Sequence, residues 1–198
     1  LSIRRQRQMC IRDSERRVQL EYADFPKLLV RAYLAAEDKT FFSHGGIDYP
    51  GIVSAIFDNI FSSKRSRGAS TITQQVAKNL LLTNEYSYTR KVKEAILAKR
   101  IESALTKQQI LSLYLNEIAL GRQAFGVEAA AQAYFAKSVD QLQLHEMAFL
   151  AILPKAPERY GRAKNAKLAI ARRNWVLGEM HKNAVSYTHL RAHETLMN

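Results

Sequence analysis

At 198 residues the chain has the length of one domain, at about 150 residues per domain, and can bury roughly 70% of its unfolded surface without staples. Its 47% hydrophobic and 24% charged residues exclude collagen, a disordered tail and a multi-span membrane protein. A net charge of +12 favours anionic partners such as nucleic acid, anionic lipid or phosphate-bearing substrates, and the single cysteine, Cys10, excludes an internal disulfide.

Few glycines and prolines favour long helices, and no apolar run reaches the ~18 residues of a membrane span. The two ends differ from the middle. Residues 1–17 are arginine-dense, with little periodicity; residues 184–198 fit no helix or strand pattern. MCIRDS and SYTHLRAHET within them resemble translated sequencing-adapter read-through. Both ends are therefore expected to be sequencing artefact or disordered, and His189 and His193, though i, i+4, are set aside with them. A single domain is expected over 18–183.

Within it, a helix is predicted from Asp24 to Asp38, with Pro26 in its first turn and Val30, Tyr33, Leu34 and Glu37 on one stripe. A loop with Gly45 and Gly46 follows. Ile52, Val53, Ile56, Phe57, Ile60 and Phe61 form a second stripe ending at Lys64, Arg65 and Arg67. Gly68 opens a Ser/Thr-rich turn into a helix from about Thr71 to Leu82. Another runs from Tyr88 to Leu105. Thr106 and Gln109 form a capping box before Ile110, Leu111, Tyr114 and Leu115. Gly121 and Gly126 bracket a turn. Helices are then expected over Val127–Phe135, Gln143–Leu153 (stopped by Pro154 and Pro157) and Asn165–Met180. No segment alternates with period two, so the fold class is mainly α.

Three places carry chemistry. Glu37 shares its stripe with apolar residues near a helix C-terminus, and both desolvation and the helix dipole raise a carboxylate there, as a general base requires. Asp38 points about 100° away from it. The turn before Thr71 offers the free N–H groups of a helix N-terminus, an anion site, with Thr71, Gln75 and Lys78 on one face and Asn79 at its border. Arg90 and Lys91 lie one helical turn before Glu94. As an isolated feature each is also compatible with an ordinary solvated helix face.

Together these residues resemble a known family. Residues 36–46, AEDKTFFSHGG, are similar to the EDxxFxxHxG motif of the peptidoglycan glycosyltransferases, the polymerase domain of class A penicillin-binding proteins and their monofunctional relatives. Gly68 to Asn79 resembles GxSTxTQQxxKN, with Ala69 where many relatives carry glycine. Arg90 to Glu94 resembles RKxxE, Lys107 to Asn116 resembles KxxILxxYLN, and Arg172 to Leu177 resembles RRxxVL. The five stand in family order.

The resemblance implies a single lysozyme-like helical glycosyltransferase domain that joins lipid II to a growing lipid-linked glycan by an inverting displacement. Glu37 would be the general base on the acceptor 4-hydroxyl. Lys78, Arg90 and Lys91 would stabilise the leaving undecaprenyl pyrophosphate. Glu94 would position those cations or a divalent ion, Mg2+ or Mn2+; no organic cofactor is implied. Asp38, Phe41, His44, Ser70, Thr71, Gln75 and Asn79 would line the cleft. The Ile52–Phe61 stripe would be an interfacial helix or part of the core, while Ile110, Leu111, Tyr114 and Trp175 would pack, with Arg172 and Arg173 supporting the fold. The family further implies the extracytoplasmic face of the inner membrane, with an anchor missing from this fragment. Partners would be the membrane surface and the cell-wall synthesis machinery, not nucleic acid. Moenomycin, a donor mimic, would bind. The fragment would come from a bifunctional class A protein or a monofunctional polymerase. A lysozyme-like hydrolase and a non-catalytic basic module are the remoter alternatives.

Overall fold

The computed structural model describes residues 19–61, 70–81 and 88–194, and among them no strand forms beyond one isolated bridge, Ala119 to Phe125. Helix α1 spans Lys27–Glu37, α2 Tyr49–Phe61, α3 Ile72–Leu81, α4 Tyr88–Ala104 and α5 Lys107–Glu117. Then come α6 (Val127–Phe135), α7 (Leu144–Leu150), the short α8 (Pro157–Tyr160) and α9 (Ala166–Glu194). The mainly α class predicted from periodicity is what forms.

Local chemistry sets most boundaries. Thr106 accepts the Gln109 N–H while the Gln109 side chain takes the Thr106 N–H at 2.8 Å, the predicted capping box at the head of α5. Gly126 begins α6 at φ +81° because a side chain there would meet the Asn116 carbonyl. Three boundaries differ from expectation. Helix α1 starts at Lys27, since Pro26 sits at its N-cap, and a 3-10 turn over Tyr22–Asp24 precedes it. The helix expected up to Leu153 ends at Leu150. Pro154 then occupies a 3-10 turn and Pro157 starts α8, because a ring that fixes φ and lacks an N–H is tolerated in a first turn. Helix α9 runs to Glu194, past the expected end at Met180, since no glycine or proline after Gly178 interrupts its ladder.

Helix α1 is the central element. Leu29, Ala32, Tyr33 and Leu34 are buried, and α1 packs on both α7 and α9. Tyr33 meets Tyr114 of α5 edge-on at 6.1 Å and donates to the Leu150 carbonyl at 3.2 Å. Ile110, Leu111 and Leu115 complete the core from α5, and α3 packs between α5 and α4. These helices hold the C-terminus of α1, and so Glu37, against the middle of α3.

Candidate active site

The Glu37 side chain closes α1 and reaches α3. Gln75 donates from Nε2 to Glu37 Oε2 at 2.9 Å, while the Tyr114 hydroxyl donates to Gln75 Oε1 at 3.4 Å. The amide is thereby oriented with its donor end on the carboxylate. Burial raises the Glu37 carboxyl above its ordinary value; the Gln75 hydrogen bond and the charges of Arg172 and Lys155 oppose the rise, and Asp38 adds to it. Burial likewise pushes Tyr33 and Tyr114 well up, and the Glu37 charge pushes both in the same direction, so neither phenol competes as an anion.

Gln75, though not Glu37 itself, lines a groove of about 610 Å3 between α3 and α4. Its remaining lining is Ser70, Lys78, Tyr88, Arg90, Lys91 and Glu94. Lys78 is exposed on α3, one turn beyond Gln75. The Lys91 ammonium stands 2.5 Å from Glu94 Oε1 and donates to Ser70 Oγ at 2.9 Å. Glu94 is buried, with 2% exposure. A buried carboxylate under a half-exposed lysine fixes the ammonium at the groove wall, which accounts for the unfavourable basic-before-acidic order on the helix.

Glu94 was also the candidate ligand for a divalent ion. One of its oxygens is taken by Lys91, and no group of three or more His, Cys, Asp or Glu side chains converges anywhere among the described residues. Mg2+ is commonly held by one or two carboxylates together with substrate phosphates, so Glu94 would serve such an ion only beside a bound diphosphate.

Five predicted cleft residues lie outside the groove lining. The N-terminus of α3 does hold an anion, but it is the Asp38 carboxylate, which accepts the Ile72 N–H at 3.0 Å. Asp38 is 6% exposed, and both its oxygens stand 3.1 Å from His44 Nε2. His44 Nδ1 accepts the Gly46 N–H at 3.2 Å, so the ring donates from Nε2 to Asp38. Thr71 is the N-cap: its Oγ1 accepts the Gln74 N–H, its N–H goes to Gln74 Oε1, and its hydroxyl donates to the Gly46 carbonyl at 2.7 Å. Phe41 is fully buried, with its ring against His44 and under the Lys107 ammonium at 4.3 Å. Asp38, Phe41, His44 and Thr71 therefore form a knot behind the groove instead of lining it. The Thr71, Ile72 and Gln74 N–H groups, which would have met a substrate anion, are satisfied internally. Asn79 is exposed but outside the groove lining.

Other expectations shift as well. Arg172 is within electrostatic reach of Glu37, and its guanidinium stacks 3.8 Å from the Trp175 ring. Trp175 is at the surface, 36% exposed, instead of in the core with Ile110, Leu111 and Tyr114. Lys39, paired with Glu179, lies 5.9 Å from the same ring. Val53 and Phe57 are more than half exposed, so that part of the second stripe is not core. Lys64, Arg65, Arg67, Gly68 and Ala69 lie outside the described residues. Sequence reasoning passed over Lys155 and Tyr88. Lys155 carried no periodic signal after Pro154; Tyr88, two residues before Arg90, could have been found as an aromatic heading a cationic helix face.

The chain matches the family model described as Transglycosylase over residues 5–181. The chain belongs to the transglycosylase family. This transglycosylase chain is 51% identical over 172 residues to Penicillin-binding protein 1A of Rickettsia felis, covering 85% of this chain and 22% of that protein. It is 50% identical over 166 residues to Penicillin-binding protein 1A of Escherichia coli K12, covering 84% of this chain and 20% of that one. The crystal structure of Penicillin-Binding Protein 1A from Haemophilus influenzae is similar at TM-score 0.45 and 30% identity, covering 83% of this chain and 15% of that one. The transglycosylase chain thus spans about a fifth of the length of these curated relatives.

Proposed function

We propose that this chain is the peptidoglycan-polymerising part of a bifunctional class A penicillin-binding protein. It would transfer a lipid-linked glycan onto the 4-hydroxyl of lipid II with inversion at the reacting carbon. The observation that carries this reading is the Gln75 bridge. It joins a carboxyl raised by burial to a groove walled by Lys78, Arg90 and Lys91.

A base tuned upward takes the acceptor proton as the new glycosidic bond forms. Fixed cations meet the charge that develops on the departing diphosphate, and they need no reorganisation to do so. Glu94 and Ser70 hold Lys91 in place, and Gln75 and Tyr114 hold Glu37. Among the described residues no helix is long and apolar enough to cross a membrane. The lipid-bearing substrates would be met at the outer face of the inner membrane, with Val53 and Phe57 of α2 at the interface. Contacts with other cell-wall synthesis proteins belong to the same reading. A monofunctional polymerase has the same groove. A hydrolase on this frame would have no use for three cations opposite its glutamate.

The test is the product formed from lipid II alone. A β-1,4-linked polymer is expected from the wild-type chain, and its formation should be about 10²–10⁴ slower in Glu37→Gln, which should still bind the donor mimic moenomycin. Shortened strands from finished cell wall, with no polymer from lipid II, would replace the reading with a hydrolase.

A further inference from the structure

A second concavity, of about 230 Å3, shares no lining residue with the groove beside Glu37. Its floor is aromatic. Tyr134 and Phe135 at the end of α6 meet Phe149 of α7 with ring centroids 5.5 and 5.8 Å from it, and Tyr160 of α8 adds a fourth ring. The position of Tyr134 is built in. Gly121 and Gly161 face its hydroxyl, where any Cβ would press on it, and the hydroxyl donates to the Leu120 carbonyl at 3.0 Å.

The rim is cationic. Arg122, Arg162 and Arg173 line the cavity and no acidic residue does. Arg122 lies 4.3 Å over the Tyr134 ring and donates to the Ala133 carbonyl at 2.9 Å, held there by a left-handed backbone at φ 51°. Arg162 has an exposed pairing with Glu158 at 3.4 Å, and Arg173 donates to its neighbour Asn174. Both are partners that a ligand carboxylate can displace at small cost in water. Arg162, Ala163 and Ala166 also place the first turn of α9 at the cavity mouth, where the positive end of the helix dipole adds to the same field.

The volume is below the roughly 300–1,000 Å3 of sites that enclose whole drug-sized molecules, and it suits one large side chain. An aromatic floor takes an aromatic or large aliphatic group, and arginines over rings favour carboxylates beside it. We propose that this cavity is a docking site for an acidic peptide segment of a partner protein, anchored by one aromatic side chain with carboxylates on either side. The proposal is independent of the reaction assigned to Glu37.

The probe is an acetylated, amidated, fluorescein-tagged pentapeptide with one phenylalanine between two pairs of aspartates. Its anisotropy is followed on titration with the full chain. Saturable binding is expected. Replacing the peptide phenylalanine by alanine, or its aspartates by lysines, should weaken binding at least tenfold. On the protein, Arg162→Glu and the cavity-filling Ala166→Phe should do the same, while polymer formation from lipid II is unchanged. Should Ala166→Phe lower the melting temperature, Ile170→Glu at the exposed rim is expected to give the same loss without touching the core. Undiminished affinity in Ala166→Phe and Ile170→Glu overturns the proposal, as does equal binding of the phenylalanine-free peptide. Displacement of the peptide by phosphatidylglycerol vesicles would assign the site to a lipid surface and overturn it too.

Discussion

Removal of the Asp38 carboxylate separates a structural knot from a substrate contact. In Asp38→Ala two buried donors lose their acceptor, the Ile72 N–H at 3.0 Å and the His44 Nε2–H at 3.1 Å. Each such orphan costs about 1–3 kcal/mol, so the variant should lose about 2–6 kcal/mol. At about 2–4 °C per kcal/mol for a domain of this size, the mid-range expectation is a fall of about 10 °C in melting temperature. Asp38→Asn should lie between. Its carbonyl oxygen can keep the Ile72 bond, but its NH2 then meets the His44 Nε2–H, donor against donor, unless the ring moves that proton to Nδ1, which would then face the Gly46 N–H it accepts now. Calorimetry gives the stability, and polymer formation from lipid II well below the variant's melting temperature gives the activity. The knot predicts that stability falls first and that much of the activity survives in the cold. A melting temperature within 2 °C of wild type, with activity abolished, would refute it and return Asp38 to the substrate.

Other substitutions test neighbouring parts of the account. Lys78→Ala removes an exposed charge and should change stability by no more than about 0.5 kcal/mol, while polymerisation falls at least tenfold; equal losses in both would make Lys78 structural. Gly126→Ala puts a side chain against the Asn116 carbonyl at φ +81° and should cost at least about 1 kcal/mol in urea unfolding, with the groove unaffected. Glu37→Gln should be more stable than wild type near pH 8. The folded carboxyl is raised above 4.5, so its ionised form subtracts from stability; the penalty is absent below pH 4.5 and complete above the folded value. The advantage of the variant should therefore vanish as the pH falls to 4. An advantage that does not change with pH would contradict the buried-carboxyl account. Moenomycin should raise the melting temperature of the wild-type chain, and no shift would count against an intact donor groove.

How much of this was legible in the sequence depends on how far apart the interacting residues lie. Glu37, Lys91 and Glu94 stood out as candidates because their surroundings are local, a stripe ending in a carboxylate and a cation one turn before an acid; their roles came from the family resemblance. The Thr106 cap was legible for the same reason. The role of Asp38 was not, because its acceptor bond reaches 34 residues ahead to Ile72 and nothing local distinguishes a carboxylate that caps a distant helix from one that lines a cleft. The free N–H groups expected before Ile72 were a correct reading of the isolated helix and were satisfied by a tertiary contact. Thr71 and Gln74 illustrate a subtler limit. Thr71, Gln75 and Lys78 do fall near one face, yet a first-turn hydroxyl is drawn to its own helix end and to the Gly46 carbonyl. Arg172 and Trp175 were assigned to the fold with the family's fifth motif; the reach of Arg172 to Glu37 arises from the packing of α9 on α1, which no periodicity reports.

On the proposed reading the Glu37 carboxyl, lifted by burial, takes the acceptor proton opposite the groove cations. Single-turnover transfer from a lipid-linked donor, measured against pH in wild type and in Glu37→Gln, tests it most directly. The wild-type rate should fall with acid along a limb centred above 4.5, the ordinary carboxylate value. Glu37→Gln should lose that limb and run about 10²–10⁴ slower at neutral pH, with donor binding intact. A variant that keeps both the acidic limb and the wild-type rate would show that another group removes the proton.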